Sequence, residues 1–152
     1  MNSTPDLPPL ILVVGMHRSG TSLLGSILQA LDVSLPGDLI EGDMHNQVGY
    51  FERNDITSLQ EQLLIDLNRW WPSLQGLQPL PDGWLHYPRT QRAARCLKRL
   101  LKKDSVLQTG PWSIKDPRSS LLLPLWKQVC DELSIPLKIL LAIRDPREVI
   151  AS

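Results

Sequence analysis

The sequence predicts an α/β fold, a three-layer α/β/α arrangement around a central parallel sheet, and three stretches carry that prediction. "LILVV" (10–14) is a short apolar run rich in β-branched residues and stopped by Gly15, as expected of a strand buried on both faces. A glycine-bounded loop leads from it straight into Thr21 to about Leu31, where Leu23, Leu24, Ile27, Leu28 and Leu31 recur at helical spacing. Near the far end, "LKILLAI" (137–143) reads as a strand again and "RDPREVIAS" (144–152) turns from it into a helix. Strands that alternate with helices call for right-handed crossovers and hence a parallel sheet.

The stretches between fill in the order. Residues 32–53 hold glycines, a proline and several acids without periodicity and read as a long irregular connection, a kind of segment that often carries function. A helix capped by Asn54 or Asp55 is expected next, with Ile56, Leu59, Leu63 and Leu67 along one face. "WWPSLQGLQPLPDGWLHYP" is irregular and holds three of the five tryptophans. Arg89 to Lys103 predicts an amphipathic helix with Ala93, Leu97, Leu100 and Leu101 inward and a basic outer face, which reads as solvated, with membrane or nucleic-acid binding as the lesser alternative. A short strand at about Trp112 to Ile114 leads into "KDPR", and a helix follows through Leu121 to Leu133 with Pro124 in its first turn.

Composition narrows the partners. The 152 residues, 42% of them hydrophobic, suffice for one domain with a core. Sixteen basic and sixteen acidic residues cancel, so no overall field favours nucleic acid or an anionic membrane, and any anion site must be local. The apolar run "LPPLILVVG" is broken by prolines, too short to span a bilayer and without the basic start of a signal peptide, so a cytoplasmic chain with no membrane span is expected. Cys96 and Cys130 lie in helix-like segments without metal-ligand spacing and read as buried free thiols. The sequence stops after a strand and the first turns of a helix with nothing to pack on them; a single domain, 1–152, incomplete at its C-terminal end is the expectation.

The loop after the first strand is the strongest chemical signal. Gly15, four intervening residues, Gly20, Thr21 and Ser22 match the Walker A spacing, with Thr21 where the lysine would stand. Glycines let backbone N–H groups converge and the helix N-terminus adds partial positive charge, so an anion site survives the missing lysine. Arg18 adds a planar, multi-donor cation, and Ser19, Thr21 and Ser22 add hydroxyls. The plainer reading is a tight strand-to-helix turn with Arg18 in solvent. A nucleoside-triphosphate-dependent kinase is a further reading; the missing lysine counts against it, and Asp145 is its nearest candidate for a magnesium ligand.

Three motifs together resemble sulfotransferases. "GMHRSGTSLL" is similar to their 5′-phosphosulfate-binding loop, and its Arg-Ser-Gly-Thr form resembles the tyrosylprotein sulfotransferases and many bacterial relatives. In "RDPREVIAS", Arg144 and Ser152 stand at the spacing of the arginine and serine that hold the nucleotide 3′-phosphate in that family. Physically, an arginine leaving a strand and a serine two turns into the next helix can converge on one phosphate. "WSIKDPRSSLLLPLW" resembles, more loosely, a Lys-Asp-Pro segment whose lysine lies near the transferred sulfuryl group; Lys115 falls there, and Arg118 has no assured counterpart. A turn in which Asp116 caps a helix begun by Pro117 is compatible with that role. The resemblance runs from Leu10 to Ser152, with about 68–107 unmatched.

It implies a P-loop NTPase-like fold, 3′-phosphoadenosine 5′-phosphosulfate (PAPS) as co-substrate without a metal, and sulfuryl transfer to a hydroxyl of a small molecule, glycan or protein. Carried over position by position, it implies binding by His17, Arg18, Ser19, Gly20, Thr21, Ser22, Arg144 and Ser152, and catalysis by Arg18, Glu52 and Lys115. Glu52, in "GYFERND", stands where the tyrosylprotein branch carries its glutamate base, after a longer connection; Glu41 and His45 compete for that role. His17 is expected to shape its loop rather than take a proton, and His86 is given no role. Acceptor contacts are expected from loops 36–53 and 71–88, where tryptophans either stack on a ring or belong to the core. A catalytically inactive nucleotide-binding fragment is the remaining alternative.

Overall fold

The computed structural model describes residues 7–44, 46 and 49–152. Strand β1 (Leu10–Gly15) lies between β2 (Trp112–Lys115) and β3 (Leu137–Ala142), both parallel to it. Five helices, α1 (Thr21–Ala30), α2 (Asn54–Asp66), α3 (Pro88–Ser105), α4 (Leu123–Leu133) and α5 (Pro146–Ile150), complete an α/β fold among the described residues. Two short helical turns, Leu74–Leu77 and Trp84–His86, punctuate the stretch between α2 and α3.

Strand alternation divides the core. Leu10, Leu12 and Val14 of β1 share a face with Trp112 and Ile114 of β2, and pack there with Ile56, Leu63 and Leu64 of α2, Leu97 and Leu101 of α3, and Leu125, Trp126 and Val129 of α4. Val13 and Lys115, paired across β1 and β2, point the other way, and α1 lies against both strands. Trp84, Trp112 and Trp126 are core residues, whereas Trp70 and Trp71 are exposed.

Three local expectations need correction. The apolar stripe of α1 is not its buried face: of the stripe Leu28 alone is buried, beside Thr21 and Gly25, while Leu23, Ile27 and Leu31 are exposed. The reason is Gly25, which admits the Phe51 ring so closely that a Cβ would stand 2.9 Å from the Phe51 Cβ and Cγ. Helix α2 has Arg53 as its N-cap residue and no side-chain cap. Asn54 instead bonds Asp38 at 2.8 Å, and Asp55 is taken up by the Arg53 guanidinium. Of the two thiols only Cys130 is buried, and burial pushes it up to about 12; Cys96 is half-buried on α3. The inner face of α2 holds Ile56, Leu63 and Leu67 as expected, with Gln60 buried among them. On α3, Leu97 and Leu101 are fully buried as expected.

The connection 32–53 is irregular but pinned at its end. Leu39 pairs with Arg53, and the Ile40 N–H donates to the Glu52 carbonyl at 2.7 Å. Arg53, only 4% exposed, bridges Asp55 and Asp104, which fastens the segment carrying Glu52 to the C-terminal end of α3. Among the described residues no helix is long and apolar enough to cross a membrane.

Candidate functional site

The site begins where β1 stops. Gly15 has φ 149°, and a Cβ there would fall 2.7 Å from the Ala142 carbonyl and 2.9 Å from Ser19 Oγ, so only glycine lets the loop close this tightly against β3. Its N–H donates to Ser120 Oγ at 2.9 Å and its carbonyl accepts from the same hydroxyl at 3.1 Å, tying the loop to the turn after β2. The Ser19 N–H and hydroxyl both donate to the Met16 carbonyl, at 3.1 and 2.6 Å, and fold the loop back on itself. Gly20, in the left-handed region at φ 95°, starts α1 without a side-chain cap. The first N–H groups of that helix therefore lack the usual partners.

Beside them lies a cleft of about 280 Å³ at the carboxyl ends of the strands. The loop and α1 contribute His17, Arg18, Gly20, Thr21 and Ser22; the long connection contributes Asn46, Tyr50 and Glu52; β2, β3 and the residues after them contribute Lys115, Pro117 and Arg144. Crevices of α/β sheets bind ligands at this end.

The charges on its floor are paired. Glu52, 7% exposed, accepts from Lys115 Nζ at 2.6 Å through Oε1 and from Arg118 Nη1 at 3.3 Å through Oε2. Lys115 Nζ also reaches Ser22 Oγ at 3.4 Å. Behind Arg118, the fully buried Asp116 accepts from Arg118 Nη1 at 3.1 Å, from the Arg118 N–H at 2.9 Å, from Thr57 Oγ1 at 3.1 Å and from Gln60 Nε2 at 2.9 Å. The Arg118 N–H contact is the expected cap of the turn Pro117–Ser120. Gln60 Oε1 in turn accepts from Ser119 Oγ at 3.0 Å and Trp126 Nε1 at 2.9 Å. Burial pushes the Asp116 carboxyl up, and the Arg118 cation pulls against it.

His17 forms one wall. Its ring stacks on Trp71, centroids 4.6 Å apart and planes 24° from parallel. Burial, aided by the Arg118 cation, lowers its pKa from the ordinary imidazole value and so favours the neutral ring.

At the mouth the structure gathers Arg18, Arg144 and Ser152. Arg18, itself at φ 68°, donates through Nε and Nη2 to Ser152 Oγ and carbonyl oxygen at 3.4 and 2.5 Å, while Arg144 Nη1 donates to the Arg18 carbonyl at 3.1 Å. Gly20, Thr21 and Ser22 line the cleft, as do Lys115 and Glu52; the Ser19 hydroxyl is spent inside the loop. Glu41 is exposed and does not line the cleft, and His45 lies outside the described residues. Asp145, off the cleft, is held by Arg147 at 2.8 and 3.2 Å and caps α5. Among the described residues no group of His, Cys, Asp and Glu is arranged to hold a metal ion.

Sequence reasoning left Arg118 without an assured counterpart and missed Gln60, whereas Asn46, Tyr50 and Trp71 belong to the loops 36–53 and 71–88 expected to meet an acceptor, though none was named there. Asn46 Nδ2 donates to Ser22 Oγ at 3.3 Å, and Tyr50 OH to Asp43 at 2.9 Å. Gln60 did leave a signal, a polar residue on the apolar face of α2. Comparison with family models, with curated proteins and with solved structures yields no match, so the site stands on its own geometry.

Proposed function

We propose that this cleft binds PAPS and transfers its sulfuryl group to an acceptor hydroxyl, on a three-layer scaffold of the P-loop NTPase type. One observation carries the reading. The uncapped start of α1, the Arg18 guanidinium and the Lys115 ammonium form an anion cradle, and Glu52 is held against Lys115 on the floor of the same 280 Å³ space. Donor anion and proton acceptor thus share one enclosure.

The first N–H groups of α1 with the Thr21 and Ser22 hydroxyls suit the 5′-phosphosulfate, and Arg144 with Ser152 suits the 3′-phosphate. The acceptor oxygen attacks sulfur in line. Its new S–O bond forms as the S–O bond to phosphate breaks, the electron pair leaves with the phosphate oxygen, and the acceptor proton passes to Glu52. Lys115 and Arg18 stabilise charge on the sulfuryl and leaving oxygens, an effect worth about a hundredfold or more in rate per donor. When Lys115 turns to the donor, Arg118 keeps hold of Glu52 Oε2 and the base stays in place.

Calorimetric titration with 3′,5′-adenosine bisphosphate, and with ATP plus magnesium in a parallel run, tests the reading. The bisphosphate is expected to bind alone, and Arg18→Ala to abolish that binding in a chain that circular dichroism shows to be folded. Preference for ATP with magnesium, or bisphosphate binding indifferent to Arg18→Ala, rejects the proposal.

A further inference from the structure

Helix α3 has two unlike long faces. Leu97 and Leu101 are fully buried on one. The opposite face presents Arg92, Arg95, Arg99, Lys102 and Lys103, all exposed and at the three- and four-residue spacing that aligns side chains in a stripe. Cations at the edges of this stripe are paired: Arg89 with Asp66 at 3.5 Å and Lys98 with Glu132 at 2.8 Å. Among the described residues, the five in the stripe have no carboxylate partner within ion-pairing distance. In a chain of net charge +0, that is an uneven placement of uncompensated charge.

The stripe is also partly apolar. A groove of about 680 Å³ runs among Arg92, Arg95, Cys96, Lys98, Arg99 and Lys102, floored by their alkyl stems and the half-buried Cys96. Val106, about one turn past Lys103 and two past Arg99, continues the same line and is 69% exposed; Leu107 beside it is equally exposed.

We propose that this face of α3 docks the protein on an anionic lipid surface, with the cations on headgroup phosphates and Val106 and Leu107 entering the acyl boundary. Nucleic acid would reward the cations alone. It would leave two exposed aliphatics unused, and the stripe offers no aromatic ring for a base to stack on. The docking end of α3 is tied to the segment that carries Glu52, because Asp104 there binds Arg53, the neighbour of Glu52. The inference does not depend on the reaction assigned to that cleft.

Flotation of the full chain with phosphatidylcholine vesicles, with and without phosphatidylserine, tests it. Binding is expected only with phosphatidylserine and to fall steeply as salt is raised. Each cation near such a surface contributes about fivefold, so Arg95→Gln/Arg99→Gln/Lys102→Gln should lower partitioning roughly a hundredfold. Val106→Ser/Leu107→Ser should weaken binding while leaving its salt dependence unchanged. Absence of binding to either vesicle, equal binding to both, or full retention by the triple variant overturns the proposal. So does tighter binding of a DNA duplex that ignores the Val106 and Leu107 changes. Should the triple variant lose its circular dichroism spectrum, the salt titration of the unaltered chain on the two vesicle types decides.

Discussion

Glu52→Gln should destabilise the fold more than Lys115→Met, although both delete the same ion pair. Lys115 is 3% exposed and, among the described residues, its ammonium has only the Ser22 hydroxyl, at 3.4 Å, besides Glu52. Without the Glu52 charge it is a buried cation with no compensation, a situation that costs about 3 kcal/mol or more. Glu52 is better insured: without Lys115 it still accepts from Arg118 at 3.3 Å. Lys115→Met should then cost about 1.5 kcal/mol, the value of one charge-assisted hydrogen bond. Arg118 is not stranded in either variant, because Asp116 holds it at 3.1 Å.

Urea unfolding followed by tryptophan fluorescence reads the difference. With a slope of about 2 kcal/mol/M, the midpoint should fall by about 1.5 M for Glu52→Gln and by about 0.8 M for Lys115→Met. The double variant strands no charge and should return to within about 1 kcal/mol of Lys115→Met alone, a non-additivity that a double-mutant cycle exposes. Equal midpoints for the two single variants, or a double variant whose loss is their sum, would refute the argument. Adenosine bisphosphate should rescue Glu52→Gln more than the unaltered chain, since the bound anion supplies the partner that Lys115 has lost.

Two further outcomes bear on the walls of the cleft. The His17 ring should titrate below 6.5 when its C2 proton is followed by NMR. Because its folded pKa is depressed, the unfolded chain binds more protons in that window, so its stability contribution is complete above 6.5 and is lost as pH falls. Trp71→Ala opens the ring to water and should move the midpoint up toward 6.5; an unmoved midpoint shows that the stack contributes nothing to burial. Gly25→Ala would put a Cβ 2.9 Å from Phe51, whose backbone is already at φ 58°, and so displace the residue next to Glu52. Overpacking of about 1–3 kcal/mol should lower Tm by about 3–10 °C in a calorimetric scan, and an unchanged Tm would show that Phe51 yields freely.

The legible parts of the molecule are those in which neighbours along the chain decide the outcome. An apolar run ended by glycine marks β1, which is buried at all but one position, and "LKILLAI" marks β3, which has no fully buried residue; in both, a dense apolar run along the chain is the signature. The cleft-lining loop was legible for the same reason, since its glycines, Arg18 and hydroxyls are contiguous. Orientation was not: periodicity gave α1 a stripe, yet only the contact of Gly25 with Phe51 shows which side meets the rest of the protein. Pairings between distant segments were equally silent. Nothing in the spacing joins His17 to Trp71, or Gln60 of α2 to Asp116, because such contacts are products of the assembled fold.

The run Lys115-Asp116-Pro117-Arg118 shows why four adjacent residues can serve two regions at once. Successive side chains leaving a strand point to opposite faces. Lys115 therefore meets Ser22 and Glu52 on the side of α1, while Asp116 turns to Thr57 and Gln60 on the side of α2. Pro117 opens the turn, and Arg118 comes back to bond both carboxylates, Glu52 and Asp116. The proton acceptor assigned to the cleft is thus fixed by a buried chain of contacts that ends at the core residue Trp126. Gln60 and Asp116 do not line the cleft, yet they reach Glu52 through Arg118, so the geometry of the site is tied to the packing of α2 and α4 behind it.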